Sequence, residues 1–186
     1  MTEYLATHVL TNAVREFHSL KDLAEKALTQ LDEVAFFATL DGESNSIAVI
    51  VKHLSGNMRS RWTDFLTTDG EKPSRDRDRE FVLDAADSRA TLATNWEAAW
   101  QLLFTTLNGL GPTDLEATVH IRGEPLTVTQ AIHRQLTHYA YHVGQLVLLA
   151  KQARGKEWRT LSIARGASAT FNARVRTWHP GTAGKA

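Results

Sequence analysis

Two histidines, four residues apart, are the pair in this sequence whose type and spacing could do chemistry. His138 and His142 lie in the stretch T-H-Y-A-Y-H-V-G. On an α-helix, residues at this spacing project from one face, about 40° apart. Two imidazoles placed in this way can bind one metal ion, but histidines at the same spacing also pack in cores or face solvent. The pair alone leaves both interpretations open.

A third histidine lies on another amphipathic helix, predicted from about Ser46 to Leu66. His53 falls in a mostly polar stripe beside the apolar arc of this helix, and His138 and His142 border an apolar arc in the same way. Packing of the two helices in a bundle could therefore bring the three histidines to one point. Three neutral imidazoles would bind a divalent ion and leave one or more coordination positions open for water or substrate.

Two amides lie on the same stripes as the histidines. We expect Asn57 and Gln145 to orient the ligands or to contact a substrate, and pairing of buried amides with each other is the alternative. The sequence identifies no catalytic residue beyond the metal ligands. His133 points away from the stripe and is a poor ligand, although it lies close to the pair in sequence.

Four amphipathic helices position these side chains. They are predicted at about Thr2 to Leu31, Ser46 to Leu66, Asp87 to Asn108 and Thr127 to Gly155. The last begins with a capping box formed by Thr127 and Gln130. The aromatic stripe of the third helix is interpreted as core rather than as a ligand platform.

The sequence also predicts the connections between the helices. Residues 67–86, here called the crossover, carry alternating charges without periodicity, and their length suits a connection between parallel helices. Ala117 to Thr127 is typical of a short β-hairpin. Ser168 is expected to cap a single short helical turn, and residues 181–186 are expected to be disordered. The predicted fold is thus all-α: a single four-helix-bundle domain of residues 1–180 with a hairpin before the last helix.

Composition excludes several classes of function. The chain has 186 residues, with 21 basic and 21 acidic side chains, so nothing favours nucleic acid or an anionic membrane as a partner. It has no cysteine, which excludes disulfides, a thiolate nucleophile and cysteine-ligated metals. No apolar run is long enough for a membrane span and no signal-peptide pattern is present, so we expect a cytoplasmic protein.

The histidine motifs also resemble a known family. H-L-S-G-N-M-R-S-R-W and H-Y-A-Y-H-V-G-Q resemble the DinB-like superfamily of metal-binding four-helix bundles. The longer stretch N-S-I-A-V-I-V-K-H-L-S-G-N-M-R-S-R-W-T-D-F-L and the tail W-R-T-L-S-I-A-R-G are similar to a bacterial branch catalogued only as a domain of unknown function. The resemblance implies a homodimer that binds a divalent metal, zinc, nickel or iron, through His53, His138 and His142. Characterised relatives include transferases and isomerases that use bacillithiol or mycothiol, in which the metal activates the thiol.

Two classes of function follow for this chain. The first is a metal-dependent enzyme of thiol S-transferase-like type, acting on a small-molecule substrate with a low-molecular-weight thiol. A metal-dependent hydrolase is a variant that the residues do not distinguish from it. The second class is a non-catalytic small-molecule-binding or stress-associated bundle with a structural metal or none.

Overall fold

A computed structural model describes residues 2–178, and within them the fold is all-α with one small hairpin. The elements are α1 (Glu3–Leu28), α2 (Glu33–Phe37), α3 (Ile47–Trp62), α4 (Arg89–Asn108), β1 (Thr118–Ile121), β2 (Glu124–Thr127), α5 (Val128–Arg154) and α6 (Ser168–Trp178). Short 3-10 helices span Asp78–Phe81, Pro112–Glu116 and Gly155–Glu157. The predicted fold class is confirmed. The tail expected to be disordered, 181–186, lies outside the described residues.

Each long helix begins at a hydroxyl side chain that accepts a hydrogen bond from a backbone N–H three residues on. These N-caps are Thr2, Ser46, Ser88 and Thr127. The predicted capping box of Thr127 and Gln130 is present, and Gly155 ends α5 with a φ of 52°, a left-handed conformation that glycine tolerates. Local sequence therefore fixes where the helix that carries His138 and His142 starts and stops.

The four long helices pack as two parallel pairs, α1 with α5 and α3 with α4. At the starts of α3 and α4, Lys52 Nζ lies 2.6 Å from Asp87 Oδ2. At their ends, Thr106 Oγ1 donates to the Trp62 carbonyl oxygen over 3.0 Å. Because α3 and α4 run in the same direction, the chain must return along the bundle between them, and the crossover makes this return as predicted.

Aromatic side chains fill the centre of the bundle. Phe17, Trp62, Trp100 and Tyr139 are all at most 1% exposed, and most of their ring contacts are edge-to-face. The Trp62 indole N–H donates to the Tyr139 hydroxyl over 3.1 Å. The aromatic stripe of the third long helix is therefore core, as predicted.

None of the helices in the described part of the chain is long and apolar enough to cross a membrane.

Two helix predictions were wrong in extent, and one short helix was missed. α3 ends at Trp62 rather than near Leu66, because Asp64 takes a positive φ of 47° and its carbonyl accepts the N–H groups of the next turn. α6 runs from Ser168 to Trp178 rather than for a single turn. The five-residue helix α2, capped by Asp32, was not predicted, because it is too short to show a period.

Candidate metal centre

The bundle brings three histidines together at one point. One ring nitrogen from each of His53, His138 and His142 lies within 4.8 Å of the others. His53 comes from the first half of α3, whereas His138 and His142 lie one turn apart on α5. In the described part of the chain no other group of three potential ligands is this close. The distance between helices, and not only the spacing along one helix, is thus compatible with a shared ion.

The closest pair of nitrogens has the separation that a metal would require. His53 Nε2 lies 3.4 Å from His138 Nε2. Two imidazole nitrogens bound to one tetrahedral ion at about 2.0–2.1 Å are about 3.3–3.4 Å apart. A hydrogen bond between the two rings also fits this distance, so the geometry suits an ion without requiring one.

A carboxylate from the crossover orients His53. Glu80 Oε2 lies 2.8 Å from His53 Nδ1, and both side chains are buried. Burial raises the pKa of Glu80, but hydrogen bonds from His53 and Arg75 outweigh burial and place this pKa below its ordinary value. Glu80 is therefore ionised and accepts the His53 Nδ1–H, so Nε2 is the His53 nitrogen that faces the other histidines. Such carboxylate–histidine pairs are usual behind metal ligands.

The carboxylate of Glu80 belongs to a buried charge network. Arg75 donates to both of its oxygens, each over 2.8 Å, and also donates to Glu71 Oε2 over 3.0 Å. Glu71 Oε2 accepts a further bond of 2.9 Å from Arg61, whose guanidinium also donates to the Gly70 carbonyl. Glu71, Arg75 and Glu80 of the crossover are thus folded inward against α3, whereas residues 76–79 stay exposed.

Gly56 provides the space for this network. An added Cβ on Gly56 would lie 2.4 Å from Glu80 Oε1 and 2.8 Å from Glu80 Cδ. The carboxylate cannot move aside freely, because His53 and Arg75 hold it. Gly56 follows His53 by three residues and lies on the same side of α3. The glycine therefore lets Glu80 approach the helix closely enough to reach His53.

The α5 side of the site is supported by a neutral group. His142 Nδ1 lies 2.8 Å from Gln145 Oε1, an oxygen that can only accept, so Nδ1 carries the proton and Nε2 is free. Burial lowers the pKa of His138 to about 3, and the neighbouring His142 and His53 contribute to the decrease. Burial likewise lowers the pKa of His142. Both rings are therefore neutral near pH 7, as metal ligands must be.

Asn57 is placed differently from Gln145. Its Oδ1 accepts a hydrogen bond of 3.2 Å from the Tyr139 hydroxyl, which itself accepts from Trp62. Asn57 thus ends a chain of hydrogen bonds that starts in the aromatic core, and it also lines the cavity beside the histidines. Among the described residues, its side chain forms no hydrogen bond with another buried amide or with a histidine side chain.

An open cavity of about 600 Å³ lies against the three histidines. Phe81, Tyr141 and Thr137 contribute to its wall, together with five arginines. The arginines are Arg61, Arg75, Arg77, Arg122 and Arg134. The free sides of the imidazoles therefore face a space large enough for a small molecule.

The other histidines of residues 2–178 lie outside this cluster. His133 is exposed on α5, and together with His8 it lines a separate, smaller cavity near the starts of α1 and α5. His18 stacks on Phe104 with ring centroids 3.8 Å apart. Of the histidines in the described part of the chain, only His53, His138 and His142 form a cluster of three.

Sequence reasoning missed Glu80, Arg75 and Gly56. The crossover shows no period, and a charge run of this kind gives no sign that some of its members fold inward. One signal was available: a glycine in the interior of a helix often marks a close approach by another part of the chain. Gly56 is such a glycine, but it does not indicate which segment approaches.

Comparison with known proteins gives a family without an assigned activity. A family model described as "Protein of unknown function (DUF1572)" matches residues 4–167, which include every residue of the site. No curated protein and no solved structure matches the chain.

Proposed function

We propose that this chain, which belongs to the DUF1572 family of proteins of unknown function, is a divalent-metal-dependent enzyme of thiol S-transferase-like type. One observation carries the proposal: three imidazole nitrogens lie within 4.8 Å of one another on the wall of an open cavity. A structural metal site is normally closed by four protein ligands, whereas a catalytic site keeps a position for water or substrate. Three ligands beside a cavity favour the second arrangement.

The donor set limits the metal. Three imidazoles with no thiolate suit zinc, nickel or ferrous iron. When bound, such an ion lowers the pKa of a coordinated thiol or water and polarises a carbonyl group. Glu80 and Gln145 accept the Nδ1 protons of His53 and His142, which leaves the Nε2 lone pairs of these rings for the ion.

The proposed reaction is a transfer of sulfur to an electrophile. A low-molecular-weight thiol loses its proton to solvent, its sulfur forms a bond to an electrophilic carbon, and the leaving group departs with the electron pair of the broken bond. The cavity of about 600 Å³ has room for such a thiol next to the histidines. The chain has no cysteine of its own, so the thiol must be a substrate.

A kinship with the DinB-like superfamily forms part of the proposal. It is supported by the long crossover between the parallel helices α3 and α4, and by the placement of one histidine on α3 and two on α5. An experimental structure with one ion bound by these three histidines would test it.

Metal analysis tests the proposal first. After purification with supplemented zinc, nickel or ferrous iron, elemental analysis should find close to one ion per chain. His142→Ala should lose the ion, whereas His133→Ala, an exposed histidine on the same helix, should keep it. A wild-type protein that binds no ion under these conditions would overturn the proposal.

Turnover assays test whether the protein transfers thiols. The metal-loaded protein should accelerate the reaction of physiological thiols with electrophiles, and chelation should remove this activity. Turnover of esters or amides without any thiol would instead identify a metal-dependent hydrolase, in which water takes the place of the thiol.

A non-catalytic bundle is the second candidate, and one distance favours it. The 3.4 Å between His53 Nε2 and His138 Nε2 also suits an N–H···N hydrogen bond, which would close the site without an ion. A melting temperature that does not respond to chelator, together with no turnover, would support this candidate. A large decrease in melting temperature on chelation without turnover would instead indicate a structural ion.

A further inference from the structure

We infer that the substrate of this site is a small anion, a molecule that carries a carboxylate or phosphate group, which Arg77, Arg122 and Arg134 recognise at the rim of the cavity. The inference rests on the proposed function for the role of the metal, but the arginines can be tested with or without an ion.

The first argument is the balance of charge around the cavity. Five arginines line it, and none of the described residues that line it is acidic. The carboxylates that compensate them, Glu71 and Glu80, lie behind the wall. A single oxygen, Glu71 Oε2, accepts from three guanidiniums: Arg61 over 2.9 Å, Arg75 over 3.0 Å and Arg122 over 3.2 Å. Glu71 and Glu80 together balance two of these three guanidiniums, so an excess of positive charge faces the cavity.

The second argument is the difference between the inner and the outer arginines. The side chains of Arg61 and Arg75 are at most 6% exposed and are held by several short bonds. The rim arginines have about half of their side chains exposed, and two of the three form only long ion pairs. Arg77 lies 3.7 Å from Asp78, and Arg134 lies 3.9 Å from Glu124. Guanidinium groups of this kind retain donors that match a carboxylate or phosphate in a two-bond geometry.

The third argument is that the rim arginines are positioned by the fold rather than scattered. Arg122 sits in the hairpin turn with a φ of 57°, and Asp69 of the crossover accepts from the backbone N–H groups of Arg122 and Gly123 over 2.8 and 2.7 Å. The guanidinium of Arg77 lies 5.0 Å from the centre of the Phe81 ring, which itself packs against His53.

The third rim arginine, Arg134, lies one turn before His138 on α5. The three rim arginines thus come from three separate elements, the crossover, the hairpin and α5, and meet at one cavity next to the histidines. Like charges that lie close together repel one another, and a bound anion reduces this repulsion. The positive potential also raises the local concentration of anions at the cavity. The cavity volume of about 600 Å³ is in the range of small-molecule sites.

Calorimetric titration of the metal-loaded protein tests this inference. Sodium succinate is the carboxylate probe and inorganic phosphate is the phosphate probe. The probe that binds more tightly shows which of the two anionic groups the arginines prefer. The double variant R122Q/R134Q should weaken binding of that probe by about tenfold or more, because it removes charge-assisted hydrogen bonds. Added sodium chloride should weaken binding to the wild-type protein.

Arg15→Gln is the matched control, because Arg15 is an exposed arginine of α1. Elemental analysis of every variant should show the metal content of the wild type. Loss of binding in the double variant but not in R15Q supports the inference. Equal binding in all three proteins, or no binding of either probe to the wild type, overturns it. If the wild type holds no ion, the proposed function fails, and the same titrations on the metal-free protein still test the arginines with the same outcomes.

Discussion

The two walls of the candidate metal site hold their histidines by different means. On α3, the only histidine of the cluster is His53, and an ionised, buried carboxylate supports it from a segment 27 residues further along the chain. On α5, two ligands lie one turn apart, and a neutral amide three residues further along the same helix supports His142. The α5 wall is therefore assembled by local helix geometry, whereas the α3 wall depends on long-range charge pairing.

The contrast explains how one site can be partly robust and partly fragile. Helix geometry alone places His138, His142 and Gln145 on one side of α5. The support of His53 requires that Glu80, Arg75 and Glu71 be removed from water together and paired with one another. Perturbation of the α3 wall should therefore have larger effects than perturbation of the α5 wall.

The largest effect is expected for Glu80→Ala. The variant leaves Arg75 with one of its two carboxylate partners and removes the acceptor of the buried His53 Nδ1–H, so the free energy of unfolding should fall by about 3–5 kcal/mol. Urea denaturation of the metal-free protein measures this without a contribution from the ion. Glu97→Ala is the control: it breaks an ion pair of 2.8 Å to Lys21 from a side chain that is 62% exposed, and should cost about 0–1 kcal/mol. A loss for Glu80→Ala as small as that for Glu97→Ala would show that buried charge pairing does not support the α3 wall.

Metal affinity should also depend more on the α3 wall than on the α5 wall, with smaller changes in free energy. Glu80→Gln keeps the size of the side chain but removes its charge, and should weaken metal binding by about 10- to 100-fold. Gln145→Leu removes a neutral hydrogen bond worth about 1 kcal/mol and should weaken binding by only about fivefold. Competition with a chromophoric chelator measures both values. Should Gln145→Leu prove the more damaging, the carboxylate is not the main support of the site.

One glycine on each of the two helices gives the most closely matched test. Gly56→Ala on α3 would push a methyl group into the held carboxylate of Glu80, and should destabilise the protein by about 1–3 kcal/mol. Gly144→Ala on α5 meets no atom within 4 Å and should stabilise it by about 0.4–1 kcal/mol through the loss of glycine flexibility. Thermal or urea denaturation gives both values. The interpretation of Gly56 is wrong if both alanines stabilise the fold.

The parts of the structure that were predictable are those encoded locally. The long helices, their hydroxyl caps and the stripe that carries His138 and His142 follow from a period of 3.6 residues. The choice of His53 as the third partner of this pair also rested on helix geometry, and the structure brings these rings together.

The parts that were not predictable depend on pairing at a distance. Nothing near Glu80 in sequence distinguishes it from the exposed Asp76 and Asp78, since all three lie in the same charged run. Its burial is decided by His53 and Gly56, which belong to another helix. The arginines of the cavity were missed for the same reason, because they come from separate elements that meet only in the folded chain.

The parallel arrangement of α3 and α4 leaves the chain with surplus length. A helix of 16 residues is about 24 Å long, and an extended chain covers that distance with about seven residues. The connection from residue 63 to residue 88 is much longer than this minimum. The bundle needs only a short connection between these helices. The additional residues include Glu71, Arg75, Arg77 and Glu80, which support or line the site. Substitution of an exposed residue of this connection, such as Arg77, should therefore alter the rim of the cavity at little cost to the helical scaffold, unlike substitution of the buried Glu80.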